Sequence, residues 1–233
     1  MISPMVQRLD WDSNFFGLRI AKVEVASQKE ADFLQDQYIR LKNEFDLIYI
    51  FSHNQIGLKL GKPNLADQKV IYTASISCPY TQDSHIIEYK QKTVSEGLLN
   101  LALTSGFYSR FRLDNNFPIN SYERLYTRWI EQSVAHQIAT EVFCYMIADV
   151  PRGLVTLKRE GGKGVIGLVA TDENFRGLGI GKAMLNHVKD YMFKFGCKEV
   201  SVATQYQNKA ACHFYESVGF SMESLTNIWH WWL

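Results

Sequence analysis

Val169-Ala170-Thr171-Asp172-Glu173-Asn174-Phe175-Arg176-Gly177-Leu178-Gly179-Ile180-Gly181-Lys182-Ala183 is the stretch on which the reading of this chain turns. The apolar run over 165–170 reads as a strand. The run over 179–195 reads as a helix, with Ile180, Met184, Val188, Met192 and Phe195 on one stripe. Alternate glycines stand between the two. Glycine lets the backbone approach a ligand closely and leaves N–H groups pointing outward. Unpaired amides at the positive end of a helix suit a pyrophosphate, and Arg176 and Lys182 add positive charge at both edges. The plainer alternative is that the glycines only shape a tight strand-to-helix turn. Spacing excludes two nucleotide loops. A P-loop needs Gly where Arg176 stands, and Ser or Thr where Ala183 stands. The dinucleotide fingerprint needs Gly at the position of Lys182.

What remains is Arg-x-x-Gly-x-Gly, formed by Arg176, Gly179 and Gly181, which resembles the coenzyme A pyrophosphate loop of the GNAT superfamily of N-acyltransferases. A helix over 207–217 adds a second match. Asn208, Ala211, Phe214, Tyr215, Gly219 and Phe220 resemble the superfamily pattern Asn-x-x-Ala-x-x-Phe-Tyr followed by Gly-Phe. The resemblance covers about residues 85–233 and implies an α/β fold: a mixed, splayed central sheet flanked by helices. It further implies acetyl-CoA as co-substrate, held by Leu168, Val169, Ala170, Arg176, Gly177, Leu178, Gly179, Ile180, Gly181, Lys182 and Asn208, with Tyr215 catalytic.

The chemistry gives these residues roles. Asn208 and Tyr215 share one helix face two turns apart, an amide for the pantetheine arm and a phenol for the thioester sulfur. A thiol has a pKa of about 8.5 and a phenol about 10, so a modest perturbation would match them for general-acid transfer. Backbone N–H groups of Leu168, Val169 and Ala170 are expected to receive the carbonyl oxygen as charge develops. Taken alone, Tyr215 reads as an aromatic packing its helix onto the sheet. Beside the glycine loop it reads as catalytic, with Phe214 as the core residue.

Outward from this centre, apolar runs predict strands over 20–25, 47–51, 69–77, 86–89, 141–148, 153–158, 199–203 and 228–232. Helices are expected over 27–43 with Ser27 as cap, 95–104 and 122–138, and a hairpin turn over 160–164. Residues 9–17 read as an aromatic segment ending in a turn, 57–63 as a loop punctuated by Gly57, Gly61 and Pro63, and 105–114 as a loop.

Four segments point to a narrower relationship. Asp10-Trp11-Asp12-Ser13-Asn14-Phe15-Phe16-Gly17, Ser109-Arg110-Phe111 with Asp114, Trp129-Ile130 with Ser133, and Trp229-His230-Trp231-Trp232 are similar to the dTDP-fucosamine N-acetyltransferases. That family acetylates the 4-amino group of a dTDP-linked 4-amino-4,6-dideoxygalactose. Its pairing of a small N-terminal α/β domain with a C-terminal GNAT domain implies a division into 1–84 and 85–233. Arg110 and Arg112 then suit a sugar-nucleotide pyrophosphate, and Tyr108 or Trp11 a thymine ring or the C6 methyl. The alternative for Arg110 is a pair with Asp114 that braces the loop. Residues 229–232 read better as a buried terminal strand than as a sugar platform. Rival acceptors are a protein N-terminus, a polyamine or an amino acid, and a rival class is a non-catalytic acyl-CoA sensor.

Composition sets outer bounds. Twenty-five basic against 24 acidic residues in a chain of 233 give no electrostatic reason to expect nucleic acid or an anionic membrane. No apolar run approaches the roughly 18 residues of a membrane helix, and residues 1–12 lack a signal-peptide pattern, so a cytoplasmic location is the expectation. Cys78, Cys144, Cys197 and Cys212 are scattered and read as buried thiols. No two histidines stand four apart, so no metal is expected. The reading leaves a homodimer open.

Overall fold

The computed structural model describes residues 4–77, 79–80 and 83–233. The strands are β1 (Gln7–Arg8), β2 (Ile20–Glu24), β3 (Leu47–Ser52), β4 (Lys62–Ser75), β5 (Ile86–Glu88), β6 (Glu141–Ile147), β7 (Val150–Glu160), β8 (Lys163–Thr171), β9 (Glu199–Gln205) and β10 (Ser221–Trp232). They form one sheet in the order β1-β2-β3-β10-β4-β9-β8-β7-β6-β5. Among the described residues only β2 with β3 and β8 with β9 run parallel, so the sheet is mixed, as expected. The helices are α1 (Asp10–Phe16), α2 (Gln28–Asp36), α3 (Tyr38–Glu44), α4 (Glu96–Ser105), α5 (Arg110–Leu113), α6 (Ser121–Val134), α7 (Ile180–Lys194) and α8 (Lys209–Ser217).

Side-chain alternation along the strands separates two faces. Leu154 and Val155 are neighbours on β7, yet they belong to different cores. Val155 joins Tyr72 of β4, Val200 and Val202 of β9, and Met184 and Val188 of α7, with Tyr215 of α8. Leu154 joins Leu98 of α4, Leu125 and Ile130 of α6, and Tyr49 of β3. A third core under α2 and α3 centres on Ile48, Ile50 and Trp231. Trp231 is fully buried and its Nε1 donates to the Leu60 carbonyl at 2.6 Å.

Several local expectations need correction. The aromatic segment, read without a helix, is helical over Asp10–Phe16, and Gly17 makes the expected turn, at φ 70°. The helix expected over 27–43 breaks at Gln37, while Ser27 caps its start as foreseen, accepting from the Glu30 N–H. β4 begins at Lys62, inside the expected loop, because 62–65 pair with the end of β10. A short helix, α5, stands in the expected loop 105–114. The expected division at 84/85 does not coincide with a break in the sheet. β4, from before that point, lies between β10 and β9, from after it, so both parts share one sheet.

Cys144, Cys197 and Cys212 are buried free thiols, and Cys78 lies outside the described residues. Among the described residues no helix is long and apolar enough to cross a membrane, and no three His, Cys, Asp or Glu side chains gather as a metal site.

Candidate active site

β8 and β9 are paired only over Lys163↔Glu199 to Ile166↔Val202. β8 then continues to Thr171 and β9 to Gln205 without further pairing between them, which opens a wedge in the sheet. Just where the strands part, β8 bulges. Val155 pairs with Val169 and Leu157 with Ile166, so Gly167 and Leu168 together stand opposite Thr156. The extra residue flips the strand: Ile166 packs toward α7, whereas Leu168 and Ala170 pack toward α4 and α6. The Leu168 N–H donates to Thr156 Oγ1 at 2.8 Å. Leu168 therefore drops out of the expected set of backbone donors, and of Val169 and Ala170 only one can offer its N–H to the wedge, since successive amides of a strand face opposite edges and β7 pairs with both residues.

Beyond β8 the chain turns sharply. Asp172 takes the Asn174 N–H on Oδ1 at 3.0 Å and is held by Arg152 at 2.6 Å. A 3-10 turn over Glu173–Phe175 leads to Arg176, and α7 begins at Ile180. Gly179 is its N-cap at φ 82°, a left-handed conformation that L side chains avoid, and no side chain caps the helix. The first-turn amides thus lack the usual internal acceptor. Gly181 also serves packing. A Cβ there would stand 2.9 Å from Phe214 Cζ, so the missing side chain is what seats α7 on α8. Arg176, Leu178 and Lys182 are exposed, while Ile180 is buried and offers a ligand only its backbone. Gly179, Lys182 and Asn186 form one wall of an open cleft of about 450 Å³, faced by Ser84 and His85.

α8 follows β9 directly. Asn208 is its N-cap, and its Oδ1 accepts from the Ala211 N–H at 3.2 Å. Its carbonyl end is thus committed to the helix rather than to a ligand, and Nδ2 is the group left for one. Tyr215 is buried between Tyr72 and Phe220, with ring centroids at 5.7 and 5.8 Å. Burial, and after it the neighbouring Cys212, pushes its phenol above the ordinary value. The expected convergence with a thiol is therefore absent from this environment: the phenol stays protonated, but it is a weaker acid.

The face carrying α5 and α6 holds a second set of charged groups. Arg110 lies over the rings of Tyr49 and Phe111, at 4.8 and 4.7 Å, and its Nε is buried without a partner. Its positive field reaches Asp12 on α1 and Asp67 on β4. Burial raises the Asp67 carboxyl to about 6 against the pull of Arg110, the Gln68 N–H and Lys69. No Arg110–Asp114 pair braces the loop, because Asp114 accepts from His230 Nδ1 at 2.5 Å and Trp232 Nε1 at 2.9 Å. The other expected acceptor residues are not gathered here. Arg112 lies over Phe107 at 3.9 Å and donates to the Phe107 carbonyl. Tyr108 packs edge-on against Phe107, and Trp11 stacks on Phe15 at 5.0 Å. Residues 229–232 form the end of β10, as read.

Asp67 and the Asp114–His230 pair were not singled out in the sequence as chemical groups. Asp67 had no local signal. His230 was visible only as a member of a resembling segment, and Asp114 only there and as a possible brace for Arg110.

Residues 105–220 match the model of the acetyltransferase (GNAT) family. Over 77 residues, 31% of this chain, the sequence is 31% identical to N-alpha-acetyltransferase 30 of Saccharomyces cerevisiae. The match spans 44% of the yeast protein, less than half of its length. Among solved structures, a GCN5-related N-acetyltransferase from Sphaerobacter thermophilus is similar over 98% of this chain and 76% of its own, at TM-score 0.53 and 13% identity. One from Kribbella flavida is similar over 91% and 80%, at TM-score 0.54 and 10% identity. At such identities the likeness is one of fold.

Proposed function

Residues 105–220 being an acetyltransferase domain of the GNAT family, we propose that the chain moves an acetyl group from acetyl-CoA to the amine of a nucleotide-linked amino sugar. The acceptor we propose is a dTDP-4-amino-4,6-dideoxyhexose. The observation that carries the donor half is the uncapped, glycine-opened start of α7 beside the β8–β9 wedge. Its amides and Arg176 and Lys182 suit the pyrophosphate, and Asn208 Nδ2 and the unpaired edge of β8 suit the amide-rich arm.

When bound, the thioester supplies an activated acetyl carbon with a thiolate leaving group. This chain's own residues do the rest. Tyr215, on the α7–α8 face, holds a proton for the departing sulfur. Asp67, on the opposite side of the wedge and raised to about 6, is ionised at neutral pH and receives the proton that the attacking amine sheds. Whichever of the Val169 and Ala170 N–H groups faces away from β7 is the backbone donor for the carbonyl oxygen.

The acceptor half rests on Arg110. An unpaired guanidinium with a buried Nε needs an anion, and a sugar-nucleotide pyrophosphate supplies one. Polyamines supply none, and a peptide supplies at most carboxylates, which carry less charge than a pyrophosphate. A turnover screen following release of free thiol across dTDP-amino sugars, peptides, polyamines and amino acids tests both halves. Turnover with the sugars is expected. Efficient turnover with peptides or polyamines alone would remove the sugar reading, and no turnover with any amine would favour a non-catalytic acyl-CoA sensor.

A further inference from the structure

Arg110 and Asp114 stand one helical turn apart. Asp114 closes α5, with its N–H on the Arg110 carbonyl at 3.0 Å. Residues four apart on a helix are neighbours, and an Arg and an Asp in that register can pair. Here they do not. The Asp114 carboxylate is fully occupied instead: Oδ2 accepts from His230 Nδ1 and Trp232 Nε1, and Oδ1 accepts from the N–H and Nδ2 of Asn116, at 3.1 and 2.8 Å. Burial by itself would raise this carboxyl, but those donors outweigh it and hold it at about 2. His230 is fully buried, and burial keeps its imidazole pKa low despite Asp114, so the proton on Nδ1 is the one it gives to the carboxylate. Arg110 is left over the Tyr49 and Phe111 rings with its Nε unpartnered.

We infer that His230 is a positioning residue: by keeping Asp114 occupied, it keeps Arg110 out of an intrahelical ion pair and free for the anionic part of the acceptor. This rests on the acceptor reading of Arg110 given above. Two things make the competition sharp. A buried carboxylate that loses its His230 donor has acceptor capacity left on Oδ2 even with Trp232 and Asn116 in place, and the cation in helical register is Arg110. His230 reaches across from β10, next to Tyr49 in the sheet, so a residue of β10 holds the carboxylate at the end of α5, more than a hundred residues away.

The test is a cycle of variants read in two ways. His230→Phe keeps an aromatic ring against Tyr49 and Phe117 but removes the donor. A crystal structure of H230F is expected to show the Arg110 guanidinium moved onto Asp114, and a guanidinium still over Tyr49 would overturn the inference. Kinetically, H230F should raise the acceptor KM by about tenfold, the scale of one charge-assisted hydrogen bond, with acetyl-CoA affinity unchanged. H230N, which retains an N–H donor, should recover the parental KM. In an Asp114→Asn background no carboxylate remains to trap Arg110, so adding H230F should leave KM where D114N alone puts it. A double variant as impaired as H230F, or an H230N as impaired as H230F, would mean that the ring only fills space. If Arg110→Ala leaves the acceptor KM untouched, the acceptor reading fails. The movement of Arg110 in the H230F structure is judged separately, since no acceptor is present there.

Discussion

Gly179→Ala separates fold from binding in a single substitution. A Cβ at position 179 meets no atom within 4 Å, so the only structural cost is the backbone at φ 82°. A left-handed L residue costs roughly 1–2 kcal/mol. In a domain of this size that lowers Tm by about 2–8 °C. The variant relieves the strain by rotating the N-cap, which turns the first amides of α7 away from the pyrophosphate. Losing one charge-assisted hydrogen bond, worth about 1.5–3 kcal/mol, raises the acetyl-CoA Kd by about 10- to 150-fold. A matched control lies in the β7–β8 hairpin. Gly162 has φ 78° and also meets no atom within 4 Å, so Gly162→Ala carries the same backbone cost far from the wedge. Calorimetric titration of both variants with acetyl-CoA decides. Equal losses of Tm with a weakened Kd only in Gly179→Ala are expected. An unchanged Kd in Gly179→Ala, or equal weakening in both, would refute the placement of the pyrophosphate at α7.

Tyr215→Phe deletes a hydroxyl and keeps the ring between Tyr72 and Phe220, so acetyl-CoA affinity should hold while kcat falls by roughly 10²-fold, measured by thiol release. Asp67 is raised from 3.8 to about 6, so its carboxylate fills as pH rises, and kcat/KM for the acceptor should climb through about pH 6; Asp67→Asn should abolish that limb in a pH–rate profile. The same shift means that folding takes up a proton, so the stability tied to Asp67 is present below about pH 4 and declines as pH rises through 6; denaturant titrations of parent and Asp67→Asn should show the difference. Thr156→Val orphans the Leu168 N–H at the bulge and should cost about 1–3 kcal/mol in stability, with a loss of kcat if the bulge aims the β8 donors.

The cofactor side was legible because its signals are local. Gly177, Gly179 and Gly181 mark a strand-to-helix turn, and Asn208 to Tyr215 fit one short helix, so the loop and α8 fell where read. What the sequence concealed was pairing at a distance. Nothing near Lys62 announces that β4 slots between β9 and β10, and without that the chain reads as two successive units. The acceptor face suffered similarly. Arg110 stood out as a cation in an aromatic loop, but its freedom depends on His230 and Trp232 occupying Asp114 across the fold. Asp67 carries no motif; only its burial beside Arg110 makes it a candidate base. The role of Gly181 was also hidden, since spacing alone does not distinguish a glycine that bares an amide from one that admits the Phe214 ring.

Initial rates with acetyl-CoA and a dTDP-4-amino-4,6-dideoxyhexose varied together test the central claim most directly. The account places the acyl donor on the α7–α8 face and the acceptor on the α5–α6 face of one wedge, so both must be bound at once. Intersecting double-reciprocal lines, with one free thiol formed per N-acetylated sugar, are the predicted result. Parallel lines, or thiol release without an N-acetylated sugar, would contradict it.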